Sequence, residues 1–261
     1  MKKIESCIEI LLRDGYILVF NQDKLDIVKT AEALQAAGIR NMEVTCRIQR
    51  PLEKIRRLRD TLPDFAIGAA SLVDFPAVLG VYNQAHPNDP LPSVAQVVEA
   101  GVDYLVSAGN FSDETYEQFA GRMSLIPGCG TATEILDQYA RGANLCKVFP
   151  AKQLGGPGFV KAVDPALHKI ISLVPTGGTN ADNIPDYIAA GVLVVGGSFS
   201  MVEKETMQRI LSEQDYDLLA EEFKKIKHLI DTLRSRQWPD LNFSQATPND
   251  ISRATGRCFN L

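Results

Sequence analysis

The sequence predicts an α/β fold, a (β/α)8 TIM barrel with an N-terminal helix and a C-terminal extension. Two observations support this prediction. Helical stretches end in glycine and are followed by short apolar runs, and these glycines are Gly15, Gly38, Gly101, Gly142 and Gly191. Glycine is favoured there because it accepts a left-handed conformation. Strands that alternate with helices pair in parallel, and eight such units fit a chain of 261 residues.

The elements follow one another in a regular order. The N-terminal run MKKIESCIEILLRDG has helical periodicity and several acidic residues, so it predicts an amphipathic helix and not a signal peptide. The predicted strands are residues 16–20, 41–45, 65–69, 104–107, 124–126, 145–149, 170–174 and 192–195. A turn-rich surface loop is expected at residues 86–92. A doubly wound sheet is the alternative, although no nucleotide fingerprint follows the first strand.

The C-terminal part departs from the repeat. A charged helical run over residues 216–234 is expected to end a single barrel domain of residues 1–234. The remaining residues, 235–261, form a predicted extension without a clear period. This extension is either partly ordered or docked through Trp238 and Phe243 on the barrel or a neighbouring subunit.

Composition excludes several classes of function. A net charge of −5 argues against non-specific nucleic-acid binding, and no apolar run approaches the ~20 residues needed to span a bilayer. The five cysteines form no C-x-x-C pair, which is typical of reduced thiols in a cytoplasmic protein. The three histidines are isolated, so we expect no metal site.

A lysine stands inside a buried run in the sequence LCKVFPA, which covers residues 145–151. Burial of Lys147 destabilises its ammonium relative to the neutral amine, and the neutral amine carries the lone pair that attacks a carbonyl. If Cys146 and Val148 face the helices, Lys147 faces the lumen.

The second predicted strand delivers EVTCR, in which Glu43, Thr45 and Arg47 share one face by alternation. We expect that face to be the lumen, because Val44 and Cys46 suit the helix layer. Glu43 then approaches Lys147. The two side chains form either a structural ion pair or a nucleophilic lysine with its proton-transfer partner. Arg47 suits bidentate binding of a substrate carboxylate.

Glycine pairs follow the last two predicted strands. Gly177–Gly178 stands in VPTGGTN, and Gly196–Gly197 stands in VVGGSFS before Ser198. Barrels of this kind bind phosphate at these positions, where backbone N–H groups and a following helix N-terminus face the ligand. The sequence therefore predicts an anion site at this end of the barrel.

Six motifs, in order, resemble those of the 2-keto-3-deoxy-6-phosphogluconate / 4-hydroxy-2-oxoglutarate aldolases, a family of class I pyruvate aldolases. The motifs are GIRNMEVTCR, IGAASLVD, IPGCGTATEI, CKVFPA, VPTGGTN and VVGGSFS, within residues 4–201. The resemblance implies a lyase in which Lys147 forms a Schiff base and Glu43 is the acid/base residue. It implies that Arg47 and Ser71 bind the pyruvate carboxylate. The other implied binding residues are Phe149, Thr176, Gly177, Gly178, Gly197 and Ser198.

The family resemblance also implies a cytoplasmic homotrimer that acts on a small 2-keto acid without metal or other cofactor. Cleavage of a 2-keto-3-deoxy (phospho) sugar acid or 4-hydroxy-2-oxoglutarate would give pyruvate and an aldehyde, glyceraldehyde 3-phosphate or glyoxylate. The alternative is a non-catalytic barrel that binds a sugar acid or phosphate, in which Lys147 and Glu43 only neutralise each other. An isomerase or decarboxylase without a covalent step would need acid/base groups beyond Glu43.

Overall fold

The computed structural model describes residues 2–163 and 165–261, and it has an α/β fold. The strands are β1 Tyr16–Phe20, β2 Asn41–Thr45, β3 Ala66–Leu72, β4 Tyr104–Ser107, β5 Ser124–Ile126, β6 Gly128–Cys129, β7 Cys146–Val148, β8 Leu173–Pro175 and β9 Val195–Ser198. The helices are α1 Ile4–Asp14, α2 Ile27–Ala36, α3 Pro51–Thr61, α4 Pro76–Ala85, α5 Val94–Glu99, α6 Asp113–Phe119, α7 Ala132–Ala140, α8 Pro157–Ala162, α9 Pro165–Ile170, α10 Ile184–Ala189, α11 Lys204–Glu213, α12 Tyr216–Gln237 and α13 Pro248–Thr255, with a 3-10 helix at Phe199–Met201. None of these described helices is long and apolar enough to cross a bilayer.

The strands are parallel and form a curled array in two pieces. One sheet has six strands in the order β5-β4-β3-β2-β1-β9, and the other has three in the order β6-β7-β8. A closed eight-stranded barrel is therefore not confirmed: among the described residues no ladder joins β8 to β9, and the consecutive segments β5 and β6 belong to different sheets. Pro127 separates β5 from β6 and lacks the N–H that a ladder needs. The Thr179 hydroxyl bridges the other gap by donating to the Gly196 carbonyl at 2.6 Å.

Four strands differ in their boundaries from the prediction, and the sixth is shortened to Cys146–Val148. The third strand continues to Leu72, and the seventh begins only at Leu173 because α9 includes Ile170. The last strand is shifted toward the C-terminus and contains both Gly196 and Gly197. Because glycine weakens a strand, the sequence predicts that this glycine pair follows the strand and does not belong to it. The structure uses it for close packing: a Cβ on Gly196 would lie 2.1 Å from the Thr176 hydroxyl oxygen.

The apolar core has two layers. The outer layer lies between strands and helices and includes Val44, Cys46, Cys146 and Val148, as alternation predicts. The inner layer contains Ile17, Ala70, Tyr104, Val174 and other strand residues. It also contains one face of α1, with Cys7, Ile8 and Leu11 fully buried. The N-terminal helix therefore packs with the residues that fill the lumen.

The C-terminal tail is ordered and packs on this inner layer. Phe243 is buried there, and its ring centroid lies 5.8 Å from that of Trp238. The guanidinium carbon of Arg234 lies 3.5 Å from the Phe243 ring centroid, and Arg234 donates to the Leu12 carbonyl. The predicted helix extends through Gln237, and Thr247 caps a further helix, α13. The extension therefore docks through Phe243 and Trp238 on the same chain. The domain boundary at residue 234 stays a prediction.

Phe243→Ala should destabilise the fold by about 3 kcal/mol, because the buried ring leaves a cavity and exposes Arg234. The control is Leu136→Ala, since Leu136 on α7 is 47% exposed. That change should cost no more than about 0.5 kcal/mol. Urea unfolding of both variants measures the difference. Equal stabilities would mean that the tail does not contribute to the core.

Candidate active site

Lys147 and Glu43 meet inside the curled sheet. Lys147 on β7 pairs in register with Gly128 and Val174, and Glu43 on β2 pairs with Val19 and Gly68. The Lys147 ammonium nitrogen lies 2.8 Å from the Glu43 carboxylate, and the two side chains are 7% and 3% exposed. The structure therefore brings together the two residues that the sequence predicts as catalytic. Both charges are desolvated, so each depends on the other for compensation.

A buried polar network lies beneath this pair. The Asn41 amide donates to Asp14 at 2.8 Å and to the Tyr16 carbonyl at 2.9 Å. The Tyr104 hydroxyl donates to the Asn41 side-chain oxygen at 3.3 Å. Burial, and next the Glu43 charge, hold the pKa of Tyr104 well above its usual range. Tyr104 therefore stays a neutral hydrogen-bond donor at the floor of the site.

The Tyr104 ring fits only because β3 carries a glycine opposite it. A Cβ on Gly68 would lie 2.2 Å from a Tyr104 ring carbon. Neither Tyr104 nor Asn41 is among the predicted site residues. The available signal was the buried asparagine two residues before Glu43 on the same strand face.

Arg47 lies just beyond the end of β2, beside Ser71 near the end of β3. The Arg47 side-chain Nε donates to the Ser71 hydroxyl at 3.1 Å. Ser71 has a φ of 59°, and the β3–β4 register shifts between Ala69 and Leu72. This bulge redirects the Ser71 side chain, and such strained residues cluster at functional sites. The arginine lies beyond the end of β2 and is exposed, so its remaining donors face solvent.

Phe149 forms one wall of the opening. The Lys147 ammonium nitrogen lies 5.5 Å from the Phe149 ring centroid, and Phe149 is 36% exposed. A Cβ on Gly177 would lie 3.2 Å from the same ring. The aromatic side chain therefore lies between the lysine and the glycine turn, where it limits the access of water to the amine.

The predicted anion-binding residues do not all lie on one side. Gly177 and Gly178 form a turn after β8, while Gly197 lies within β9. A Cβ on Gly197 would contact Met201 and the Tyr16 hydroxyl, both of the outer layer. The Ser198 hydroxyl is within 2.9 Å of the Ser200 hydroxyl. Gly197 thus serves close packing, and its predicted role in binding is untested.

Among the described residues, no α-helix begins directly after either glycine pair. After Gly178 the chain makes a turn, and α10 begins only at Ile184. After Ser198 a 3-10 helix of 3 residues follows. Any anion here would be bound by individual N–H and O–H groups, because neither helix is long enough to give a useful dipole.

The cysteines should differ sharply in reactivity. Burial raises the pKa of Cys7 and of Cys46 from 9.0 to about 12, and Cys129 and Cys146 are also buried, whereas Cys258 is exposed. Because the thiolate is the nucleophile, a disulfide reagent at pH 8 should titrate one thiol in the native protein and five after unfolding. Cys7 and Cys46 lose their protons near pH 9 in the unfolded chain and only near pH 12 in the folded protein. The free energy of unfolding should therefore also fall as the pH rises from 9 to 12. Rapid reaction of Cys146 would contradict its placement behind the lysine strand.

Comparison with known proteins agrees with this arrangement. The sequence matches the profile of the aldolase family described as KDPG and KHG aldolase over residues 8–87 and 89–219. The 2-dehydro-3-deoxy-phosphogluconate aldolase of Pseudomonas aeruginosa is 32% identical over 205 residues, covering 77% of this chain and 85% of that protein. The KHG/KDPG aldolase of Escherichia coli K12 is 30% identical over 202 residues, covering 76% of this chain and 87% of that protein.

A solved structure is also similar. It is that of the KDPG aldolase from Legionella pneumophila, with pyruvate captured at low pH as a covalent carbinolamine intermediate. It aligns with a TM-score of 0.67 at 27% identity and covers 85% of this chain and 97% of that chain. The resemblance of the sequence motifs is confirmed: the chain belongs to the KDPG and KHG aldolase family.

Proposed function

We propose that this chain is a class I aldolase that forms a Schiff base between Lys147 and a 2-keto-3-deoxy acid. The substrate is 2-keto-3-deoxy-6-phosphogluconate or 4-hydroxy-2-oxoglutarate, and the products are pyruvate and glyceraldehyde 3-phosphate or glyoxylate. The observation that carries the proposal is the buried contact of 2.8 Å between the Lys147 amine and the Glu43 carboxylate. The relatives whose names are 2-dehydro-3-deoxy-phosphogluconate aldolase and KHG/KDPG aldolase support the same reaction class.

The first half of the reaction makes the imine. Glu43 accepts a proton from the Lys147 ammonium, and the neutral amine adds to the C2 ketone. The resulting carbinolamine loses water, with its hydroxyl protonated by Glu43, and an iminium remains. Arg47 and Ser71 hold the C1 carboxylate through charged and neutral hydrogen bonds, which orients C2 toward the amine.

The second half breaks the C3–C4 bond. The C4 hydroxyl gives its proton to Glu43, directly or through a water, and the C3–C4 electron pair moves into the iminium to form an enamine. The aldehyde leaves, C3 takes a proton back, and hydrolysis of the pyruvate iminium restores Lys147. One carboxylate thus transfers each proton in turn, which agrees with Glu43 being the acid in contact with Lys147.

The assembly we expect is a cytoplasmic homotrimer without cofactor. α4 has no buried residue, and it leaves Val78 and Val81 exposed by 57% and 70% beside Phe75. Contact between copies would remove such apolar surface from water. Light scattering measures the mass in solution, and a monomer at micromolar concentration would contradict this part of the proposal.

A substrate panel tests the function. The purified protein is incubated with 2-keto-3-deoxy-6-phosphogluconate, its unphosphorylated analogue and 4-hydroxy-2-oxoglutarate, and pyruvate release is followed. We expect turnover of at least one of the three. Tight binding without pyruvate release from any of them would instead support the alternative, a non-catalytic binding barrel with a structural Lys147–Glu43 ion pair.

A further inference from the structure

A second lysine lies beside the glycine turn, outside the residues discussed so far. The Lys152 backbone N–H donates to the Gly177 carbonyl at 3.0 Å. Its side-chain stem lies across Gly178, where a Cβ would be 2.5 Å from Lys152 Cβ and 2.9 Å from its Cδ. Lys152 as a residue is exposed. The main chain therefore fixes the base of this side chain at the turn.

The turn itself presents donors. Gly177 and Gly178 have φ values of 91° and 80°, which glycine tolerates best. Across residues 2–163 and 165–261, no protein acceptor takes the backbone N–H of Gly177, Gly178 or Thr179. Successive free N–H groups in such a conformation form a concavity that binds anions.

Lys152 is also a cation free to act at this turn. The Lys147 ammonium is paired with Glu43, and Arg47 lies beside Ser71, where it is proposed to bind the C1 carboxylate. Within the described part of the chain, no carboxylate lies within 4.0 Å of the Lys152 ammonium. A phosphate bound at the turn would give this cation its missing partner.

We infer that Lys152 is a specificity-determining residue whose ammonium, with the N–H groups of Gly177–Thr179, binds the terminal phosphate of the substrate. This inference rests on the proposed function and deepens it. Lys147 pairs in register with Val174, and Gly177 lies three residues further along the chain. That offset is at most roughly 10 Å, because a residue rises about 3.3 Å in a strand and less in a turn. It suits a phosphate on C6 better than a carboxylate on C5, which lies closer to the imine.

The test compares wild type with Lys152→Gln and Lys152→Arg. Lys3→Gln is the control, because it removes one exposed charge next to α1 at the opposite end of the sheet. For 2-keto-3-deoxy-6-phosphogluconate, Lys152→Gln should raise KM about fivefold to tenfold and leave kcat within about twofold. This pattern is expected when the lost contact binds the substrate and the transition state equally well. Lys152→Arg should restore KM. The unphosphorylated analogue and 4-hydroxy-2-oxoglutarate should show unchanged KM in every variant.

Two results would overturn the inference while pyruvate release continues. One is an unchanged KM for the phosphorylated substrate in Lys152→Gln, and the other is an increase confined to 4-hydroxy-2-oxoglutarate. A separate measurement covers failure of the proposed function. If the wild type cleaves no substrate, calorimetry of glycerol 3-phosphate binding tests the phosphate site by itself. Weaker binding by Lys152→Gln than by wild type supports the site, and equal binding by both proteins rejects it.

Discussion

Replacing Lys147 with methionine should reduce kcat/KM for pyruvate release by at least roughly 10³-fold, because no other lysine of the described residues contacts Glu43. The variant should keep the far-ultraviolet circular dichroism of the wild type. Its stability should fall, since Glu43 loses its partner in a site where its side chain is only 3% exposed. Steady-state assays with a coupled pyruvate readout measure the change.

A second variant separates catalysis from a structural role. Lys147→Arg preserves a positive charge for Glu43 but removes the nucleophile, since a guanidinium stays protonated. We expect it to be as inactive as Lys147→Met and more stable. If Lys147→Arg retained activity, the lysine would act as a charge only, and a mechanism without a Schiff base would replace the one proposed.

Replacing Glu43 with glutamine should lower kcat by about 10²- to 10⁴-fold, because the amide cannot accept the proton of Lys147 or of the C4 hydroxyl. Breaking this buried pair should also cost about 3 kcal/mol of stability. Urea unfolding and single-turnover kinetics measure the two effects.

The control for Glu43→Gln is Glu53→Gln, which neutralises a side chain that is 69% exposed in a long ion pair. We expect this control to leave both activity and stability nearly unchanged. Wild-type kcat in Glu43→Gln would assign proton transfer to another group, and Tyr104 would be the nearest candidate through its link to Asn41.

The central pair was predictable from the sequence because strand alternation restricts where side chains point. Glu43 with Val44 and Cys46, and Lys147 with Cys146 and Val148, each have only one arrangement that buries the apolar neighbours against helices. Arg47 was harder to place, since it lies beyond the end of β2 and its position depends on the bulge at Ser71. A bulge has no clear sequence signature here.

Long-range packing was less predictable. The tail residues Phe243 and Ile251 share no period with the barrel repeat, yet they fill the inner layer with α1. The sequence predicts a loop at Gly196 and Gly197. Their position in β9 depends on close contacts with Thr176 and Met201, which local strand propensity does not predict. Closure of the sheet also depends on backbone geometry at Pro127, which composition does not determine.

The most direct test of the account is reductive trapping. The protein is incubated with pyruvate and sodium borohydride, digested and analysed by mass spectrometry. We predict a stable adduct on Lys147, in the wild type and more slowly in Glu43→Gln, with Lys152 unmodified. Saturation with pyruvate that leaves Lys147 unmodified, or an adduct confined to exposed lysines, would contradict the imine mechanism.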